Sequence, residues 1–330
     1  MSLGKKKMLH QAAAGGVVNT ENFNTALYTG NGSTQSISVG FQPDAIWIKE
    51  RGGTSNHQFK NSVAGDFAVF PNLTIAESAT SILDFESNGF SFTGGDGSIN
   101  NNNDTYVAWC WKAGGAAVSN TDGDITSSVS ANQDAGFSIV KFTGTTETAP
   151  TVGHGLSSEP EIYFLKGLDN GTDSWIVSGN STIFSSPTTN FLRLNTTDSV
   201  GSTIANQVGS NGNVINVGAR NYNGQETIAY CFHSVDGYQK VGSYTGTGVA
   251  GLEVTTGFQP RFLMIKRTDS TGDWDLFITT LSEPTYLKAN KSDSEATGDR
   301  IDVDTTSFTL KDNGGSRNAS GGTYIYLAIA

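Results

Sequence analysis

The chain contains 330 residues with a net charge of −11; 36% of the residues are hydrophobic, 15% are charged and 40 are glycine. The acidic balance argues against nucleic acid as the main partner, because no basic stripe is present that could neutralise phosphates. No apolar run approaches the length of a membrane span, and the N-terminus lacks the apolar core of a signal peptide. We therefore expect a soluble protein, made in a cytoplasm, with no membrane span.

Residues 1–20 differ in composition from the rest of the chain. They begin with a basic and apolar cluster: Lys5, Lys6, Lys7, Met8 and Leu9. The run of good helix formers that starts here stops at the glycine pair 15–16. This predicts a short helix or arm that needs a partner surface to become ordered. Two interpretations remain open: an anchor peptide that docks into another protein, or a frayed terminus.

One pattern occurs three times and defines the organisation of the chain. A proline precedes an apolar, β-branched or aromatic run, and a lysine follows six residues after the proline. The three copies include Phe41, Pro43, Trp47 and Lys49; then Pro160 and Lys166; then Phe258, Pro260 and Lys266. Proline suits the mouth of a strand because it fixes φ and has no N–H, so we predict a buried strand after each proline. We expect each lysine to mark the exit of its strand into water.

A longer plan repeats around each copy. Tyr-Thr-Gly or Phe-Thr-Gly opens each repeat, and an apolar strand closes it. The chain divides into an arm (1–20), repeat 1 (21–113), a Gly/Ser/Asp-rich linker (114–135), repeat 2 (136–236) and repeat 3 (237–330). The many short strands predict an all-β protein of three tandem, related antiparallel β-sandwich or jelly-roll-like domains, each closing its own core. A β-propeller is the main rival, but three blades are too few to close one.

Several side chains occupy equivalent positions in the repeats. Cys110 and Cys231 align with each other, so we predict buried, reduced thiols that face separate cores and form no disulfide. His57, Trp175 and Trp274 each follow the lysine of their repeat by eight or nine residues. The two tryptophans could stack on sugars, but their repetition favours packing in the core.

Catalytic and metal-binding motifs are lacking. The sequence has no GxSxG elbow, no P-loop and no glycine-rich dinucleotide fingerprint, and its histidines and cysteines lack the spacing of metal ligands. Carboxylates for glycoside hydrolysis are plentiful, but none repeats between copies and most fall in predicted turns. Asp122 with Asp124, and Asp302 with Asp304, leave calcium binding as a weak alternative. We predict that the protein is not an enzyme and uses neither a cofactor nor a metal.

Two long polar stretches are the candidates for recognition. Residues 94–103 and 211–225 are rich in Gly and Asn, as exposed recognition loops often are, although such loops are also common as tolerated surface. Within them we select Asn101, Asn102, Asn221 and Tyr222 as candidate recognition residues.

The repeat pattern resembles a family of tail fibre or virion structural proteins from tailed phages of marine bacteria and cyanobacteria. The likeness lies in the following segments: 4–7, 28–30, 40–49, 106–113, 126–132, 152–156, 228–232, 242–246, 257–273 and 324–330. It covers nearly the whole chain and carries no catalytic residues with it. Repeat 2 departs from the Phe-Gln-Pro form, and His57 replaces the tryptophan of the other copies.

The resemblance implies a structural protein of the virion that is anchored by residues 1–20. The tail is the location that it favours. Its partners would be other virion proteins, such as a tail adaptor, nozzle or capsid, and a host surface glycan or protein. Fibres are commonly symmetric oligomers, so a homotrimer with multivalent adhesion is the expectation. Two alternatives remain: a capsid or tail decoration protein, and a carbohydrate-binding protein or hydrolase.

Overall fold

The computed structural model describes residues 21–80, 82–203, 205–281 and 283–330, and it confirms the predicted all-β, antiparallel class. The first strands are β1 Phe23–Thr29, β2 Gln35–Ser38, β3 Ala45–Glu50, β4 Gln58–Asn61, β5 Phe67–Val69, β6 Ser78–Ala79, β7 Leu83–Glu86, β8 Gly89–Phe92 and β9 Thr105–Trp111. Two strands follow, β10 Val118–Asn120 and β11 Ser127–Asn132.

The second half of the chain is built in the same way. Its next strands are β12 Phe137–Thr143, β13 Thr151–Gly153, β14 Ile162–Gly167, β15 Ile176–Gly179, β16 Asn190–Arg193, β17 Gly201–Ser202, β18 Ser210–Asn211 and β19 Val214–Asn216, then a 3-10 turn Gly218–Arg220 and β20 Glu226–Phe232. The last strands are β21 Gln239–Thr245, β22 Leu252–Thr255, β23 Phe262–Arg267, β24 Trp274–Ile278, β25 Thr285–Lys288, β26 Ile301–Val303, β27 Ser307–Leu310 and β28 Thr323–Ile329.

These strands form three large sheets and three small ones. The large sheets have the orders β1-β9-β3-β4-β5-β6, β10-β11-β12-β20-β14-β15-β16-β17 and β21-β28-β23-β24-β25. The small sheets have the orders β2-β8-β7, β13-β19-β18 and β22-β27-β26. We call each large sheet together with its small sheet a unit, numbered 1 to 3 in chain order. In all three units the closing strand lies between the opening strand and the strand that follows the repeated proline.

The repeated proline lies where the sequence predicts, just before a buried strand. Pro43, Pro160 and Pro260 each precede β3, β14 or β23 by two residues, and every residue of these strands is buried except the last of β23. Because successive side chains of a strand point to opposite faces, such a strand needs a covering layer on both sides.

The outer face of each large sheet packs on the small sheet of its own unit. In unit 1 Tyr28 contacts Phe90 and Phe92, and in unit 3 Tyr244 contacts Phe308. The two cysteines lie in these outer cores, Cys110 in unit 1 and Cys231 in unit 2, and both are free and buried. The predicted burial of the two cysteines in separate cores is therefore confirmed.

The inner faces of the large sheets cover one another, and this corrects the expectation that each repeat closes its own core. A single apolar cluster takes residues from all three units, among them Trp47, Trp109, Phe164, Tyr230, Phe262 and Met264. At one end of the sheets the Trp111 ring lies 6.2 Å from Phe137 and 5.6 Å from Phe262, which joins the three units. An isolated unit would expose its inner face to water, because that face is apolar in every copy.

Equivalent hydrogen bonds connect each unit to the next. Trp175 of unit 2 donates its ring N–H to the carbonyl of Phe70 in unit 1, at 3.0 Å. Trp274 of unit 3 donates in the same way to Arg193 of unit 2, at 2.9 Å. His57 of unit 1 closes the ring, because its Nε2 lies 3.0 Å from the carbonyl oxygen of Lys291 in unit 3. The predicted packing role of the two tryptophans is confirmed, since both are fully buried.

Residues 114–135, predicted as a linker, contribute two strands to the large sheet of unit 2. Strand β11 pairs with β12 along six residues, and β10 pairs with β11. The stretch is poor in apolar residues, which hid its strands, but Val129 fills an outer-core position and Ser127 and Ser130 are buried with hydrogen bonds to backbone carbonyls. Backbone pairing, which does not depend on side-chain hydrophobicity, holds these strands in place.

Candidate functional site

Each large sheet has two different ends. The base end carries the start of the opening strand and the end of the closing strand, as in the pair Phe23 and Trp111. The chain enters unit 1, passes between units and reaches Ala330 at base ends. The opposite end, which we call the loop end, carries the turn after each opening strand and the loop before each closing strand. These loops span residues 100–104, 221–225 and 318–322.

An asparagine fixes the first residue of each loop. The side-chain oxygens of Asn100, Asn221 and Asn318 accept hydrogen bonds from backbone N–H groups in the facing turn, at 3.1, 2.7 and 2.8 Å. Each side chain also donates to carbonyls nearby. Asn221 was selected from the sequence as a recognition residue. It occupies the same position as Asn100 and Asn318, which are fully buried, and like them it has a structural role.

The glycine of each Thr-Gly pair allows the loop to approach the turn. A Cβ on Gly30, Gly144 or Gly246 would lie 2.2, 2.2 or 2.3 Å from the carbonyl oxygen of the second loop residue, which no real contact allows. The fourth loop residue has a positive φ in all three units, with Asn103 at 69°. Asparagine tolerates this conformation better than most residues, and glycine occupies it in the other two units. The three loops consequently share one backbone conformation.

The two residues between these fixed points differ between units, and all of them are exposed except Ala319, which is half-buried. Asn101 and Asn102 are exposed in unit 1, and Tyr222 and Asn223 are their equivalents in unit 2. Tyr222 exposes 38% of its surface, and its hydroxyl lies 3.4 Å from a carboxylate oxygen of Asp173. Unit 3 presents a third loop with Ala319 and Ser320 at the same positions. We call these six residues the loop tips: Asn101, Asn102, Tyr222, Asn223, Ala319 and Ser320.

Sequence reasoning missed the unit 3 tip because its small side chains carry no compositional signal. The available signal was positional: each tip comes four residues before the closing strand that pairs with the Thr-Gly turn. An alignment of the repeats on their closing strands therefore places Ala319 at the position of Asn101 and Tyr222.

Three lysines lie beneath the loop end, and their burial corrects the expectation that they exit into water. Lys49, Lys166 and Lys266 are fully buried on the inner faces of their sheets. Lys166 donates to the carbonyl of Thr74 in unit 1 at 3.1 Å, and Lys266 donates to Thr197 in unit 2 at 3.2 Å.

Carbonyl oxygens are the hydrogen-bond partners of all three ammonium groups, and burial lowers the pKa of each lysine to about 8. Burial disfavours the charged form of an amine, and nearby carboxylates such as Asp173 beside Lys166 oppose that effect only in part.

His57 is a neutral histidine held within the ring of contacts between units. Its Nδ1 accepts a hydrogen bond from the indole N–H of Trp47 at 2.8 Å, so the proton belongs on Nε2, which faces two carbonyls of unit 3. Burial lowers the pKa of His57 to about 3. The His57 ring therefore stays neutral at physiological pH and donates its N–H to a carbonyl of the neighbouring unit, as Trp175 and Trp274 do.

The acidic turns considered for calcium have other partners. Among the described residues, no group of three or more His, Cys, Asp and Glu side chains is placed to hold a metal ion. Asp124 accepts hydrogen bonds from the backbone and the hydroxyl of Thr151, and Asp302 pairs with Lys311 at 3.1 Å.

Burial raises the pKa of Cys231 to about 12, which leaves this thiol unreactive.

The predicted anchor residues lie outside the described part of the chain: Lys5, Lys6, Lys7, Met8 and Leu9. No helix in the described residues is long and apolar enough to cross a membrane.

A family model, described as a domain of unknown function (DUF7483), matches residues 19–330. No curated protein matches the chain.

Proposed function

Since the chain belongs to the DUF7483 family, whose function is unknown, we propose from its own sequence pattern and geometry that it is a structural protein of a phage virion. Its role is that of a tail fibre or receptor-binding subunit, and its loop tips contact the host surface. The observation that carries the proposal is the separation of the two ends. Chain entry and exit are confined to the base, whereas three loops of one conformation present different exposed side chains at the other end.

The build of the loops supports an adhesive role. A recognition loop needs a fixed backbone beneath variable side chains, because ordering a mobile loop on binding costs free energy. Asn100, Asn221 and Asn318 supply that fixation, while the tips offer amides, a hydroxyl and the exposed ring of Tyr222. Such groups bind glycans and polar protein surfaces with little hydrophobic burial. Single sites of this kind are weak, and many copies on one particle, as in a trimeric fibre, make them effective.

The first test locates the protein. Cryo-EM of the intact particle is expected to show the base end of each copy at the tail, with the loop ends directed outward. Density on the capsid lattice, or loop ends buried against other virion proteins, would refute the fibre role, and the capsid position would identify a decoration protein.

The second test measures adhesion by the loop tips. Purified protein is expected to compete with phage for adsorption to host cells, and Tyr222→Ala is expected to weaken that competition about ten-fold, the loss typical of one aromatic contact. The variant Phe67→Ala is the matched control, since Phe67 is also an exposed aromatic side chain but lies at the start of β5, away from the loop end. Equal competition by Tyr222→Ala, Asn101→Ala and the control would contradict the proposal. Periodate or protease treatment of the cells distinguishes a glycan receptor from a protein receptor.

A further inference from the structure

A groove begins at the base end between units 1 and 2 and continues along β10 and β11 of unit 2 toward the loop end, and nothing in the fold so far accounts for it. It consists of two adjoining cavities, of about 830 Å³ and about 470 Å³. The first is bounded by Asn22 and Asp134, the second by Val118 and Asp122, and both include Ala116. We call these two cavities together the base groove.

The base groove has an acidic and partly apolar lining. The carboxylates of Asp122 and Asp134 are exposed, and among the lining residues that the structure describes, Lys112 is the one basic side chain. Val118 exposes 65% of its surface there, on the outermost strand of the sheet. The lining takes alternate residues of β10 and β11, such as Val118, Asn120 and Val129, so the groove runs over one face of these two strands. The exposed valine on this face is apolar surface left open to water.

The segment best placed to cover this surface is the beginning of the same chain. Asn22 lines the groove, so residues 1–20 start from its rim. They carry the cluster Lys5, Lys6 and Lys7, followed by Met8 and Leu9, which complements the carboxylates and Val118. The fourteen residues between Lys7 and Asn22 span up to about 50 Å when extended, more than the length of the six-residue strand β11.

We propose that residues 1–20 dock into the base groove of their own chain, with Met8 and Leu9 against Val118 and the lysines toward Asp122. Attachment at the groove's rim gives the arm a high effective concentration there, so weak contacts suffice. Exposed ion pairs are individually weak and sensitive to salt, so this docking is readily reversed. A partner that binds the arm must then displace it from the groove. The inference concerns the free protein and holds independently of the virion role.

Paramagnetic NMR tests the proposal on the full chain. A nitroxide attached at Ser2→Cys labels one site, because Cys110 and Cys231 are buried and unreactive. Amide signals of groove residues, such as Ala116 and Asn120, are expected to lose most of their intensity, while those of exposed unit 3 residues, such as Glu253 and Asp304, keep theirs. The losses should persist on dilution and largely disappear at about 0.5 M salt, where the screening length falls to a few ångströms.

Charge reversal separates docking from mere proximity. The double variant Asp122→Lys/Asp134→Lys should restore the groove signals, whereas Glu253→Lys/Asp304→Lys, with the same change in net charge on exposed residues of unit 3, should not. Unaltered groove signals in the labelled protein would overturn the proposal. Losses that fade on dilution would also overturn it, because they would show docking into a second copy. The amide spectrum of each variant reports directly that the fold is retained.

Discussion

The three buried lysines make the stability of the protein depend on pH in an unusual direction. Raising the pH from about 7.5 to about 9 is expected to increase the free energy of unfolding, whereas proteins in general are most stable nearer neutrality. The increase should disappear in the triple variant Lys49→Met/Lys166→Met/Lys266→Met. Methionine keeps the length of the side chain and its packing but has no titrating group.

The magnitude follows from proton linkage. Burial lowers the pKa of each lysine from 10.5 to about 8, so between these pH values the unfolded chain binds more protons than the folded one and stability rises with pH. From about pH 7.5 to about pH 9 each lysine adds about 1.2 kcal/mol, and the three add about 3.5 kcal/mol.

Buried cysteines and tyrosines act in the opposite direction over the same interval. Burial raises their pKa values, for example that of Cys231 to about 12 and that of Tyr106 to about 12, so they lose protons first in the unfolded chain. Together they remove about 1 kcal/mol, which leaves a net gain of about 2.5 kcal/mol. Above about pH 10 the tyrosines dominate and stability should fall.

Urea unfolding at a series of pH values, followed by tryptophan fluorescence, measures this profile. All five tryptophans are buried, so unfolding gives a large change in emission. Each single Lys→Met variant should remove about a third of the lysine contribution, and Lys112→Met, which changes an exposed lysine, should leave the slope unaltered. A wild-type stability that is flat or falls between about pH 7.5 and about pH 9 would refute the reasoning, since it would mean that the lysines keep ordinary pKa values.

Three further predictions concern the contacts between units and the loops. The shared inner core predicts one cooperative thermal transition, with equal calorimetric and van't Hoff enthalpies, and two or three separable transitions in calorimetry would show independent domains. Trp274→Phe removes the N–H bond to Arg193 and is expected to cost about 2–3 kcal/mol in urea unfolding; a cost as small as that of an exposed substitution would mean that this bond does not join the units. Gly144→Ala forces the turn away from the carbonyl of Tyr222 and is expected to cost about 1–3 kcal/mol and to shift the amide signals of that loop. Gly94→Ala, where an added Cβ meets no atom within 4 Å, is its control, and equal effects of the two substitutions would contradict the close approach.

The elements that sequence reasoning predicted correctly depend on local chemistry. Proline restricts its own backbone, so Pro43, Pro160 and Pro260 reliably mark strands that begin two residues later. Repetition added information about burial, because positions that recur with large side chains, such as Trp175 and Trp274, are core positions.

The features that the sequence did not reveal depend on how the units meet. Lys49 lies on the same face of its strand as Trp47, and that face is covered by unit 3, far away in the chain. Only the packing of the units determines whether such a lysine reaches water, and no local pattern encodes it. The role of Asn221 was hidden for a similar reason, since its partners, the N–H of Thr145 and the carbonyl of Glu147, lie more than seventy residues away.

The build of the loops has a consequence for how the protein can vary. The asparagine and glycine that fix each loop are separate from the tip residues, and the tips contribute little to the core. Substitutions at Asn101, Tyr222 or Ala319 therefore alter the surface chemistry of one loop without disturbing the other two or the stability of the whole. Under the proposed host-binding role, a lineage can change one tip at a time, keeping two existing contacts while it tries a third. Three separate tips would then allow recognition to drift gradually, with no step at which all binding is lost.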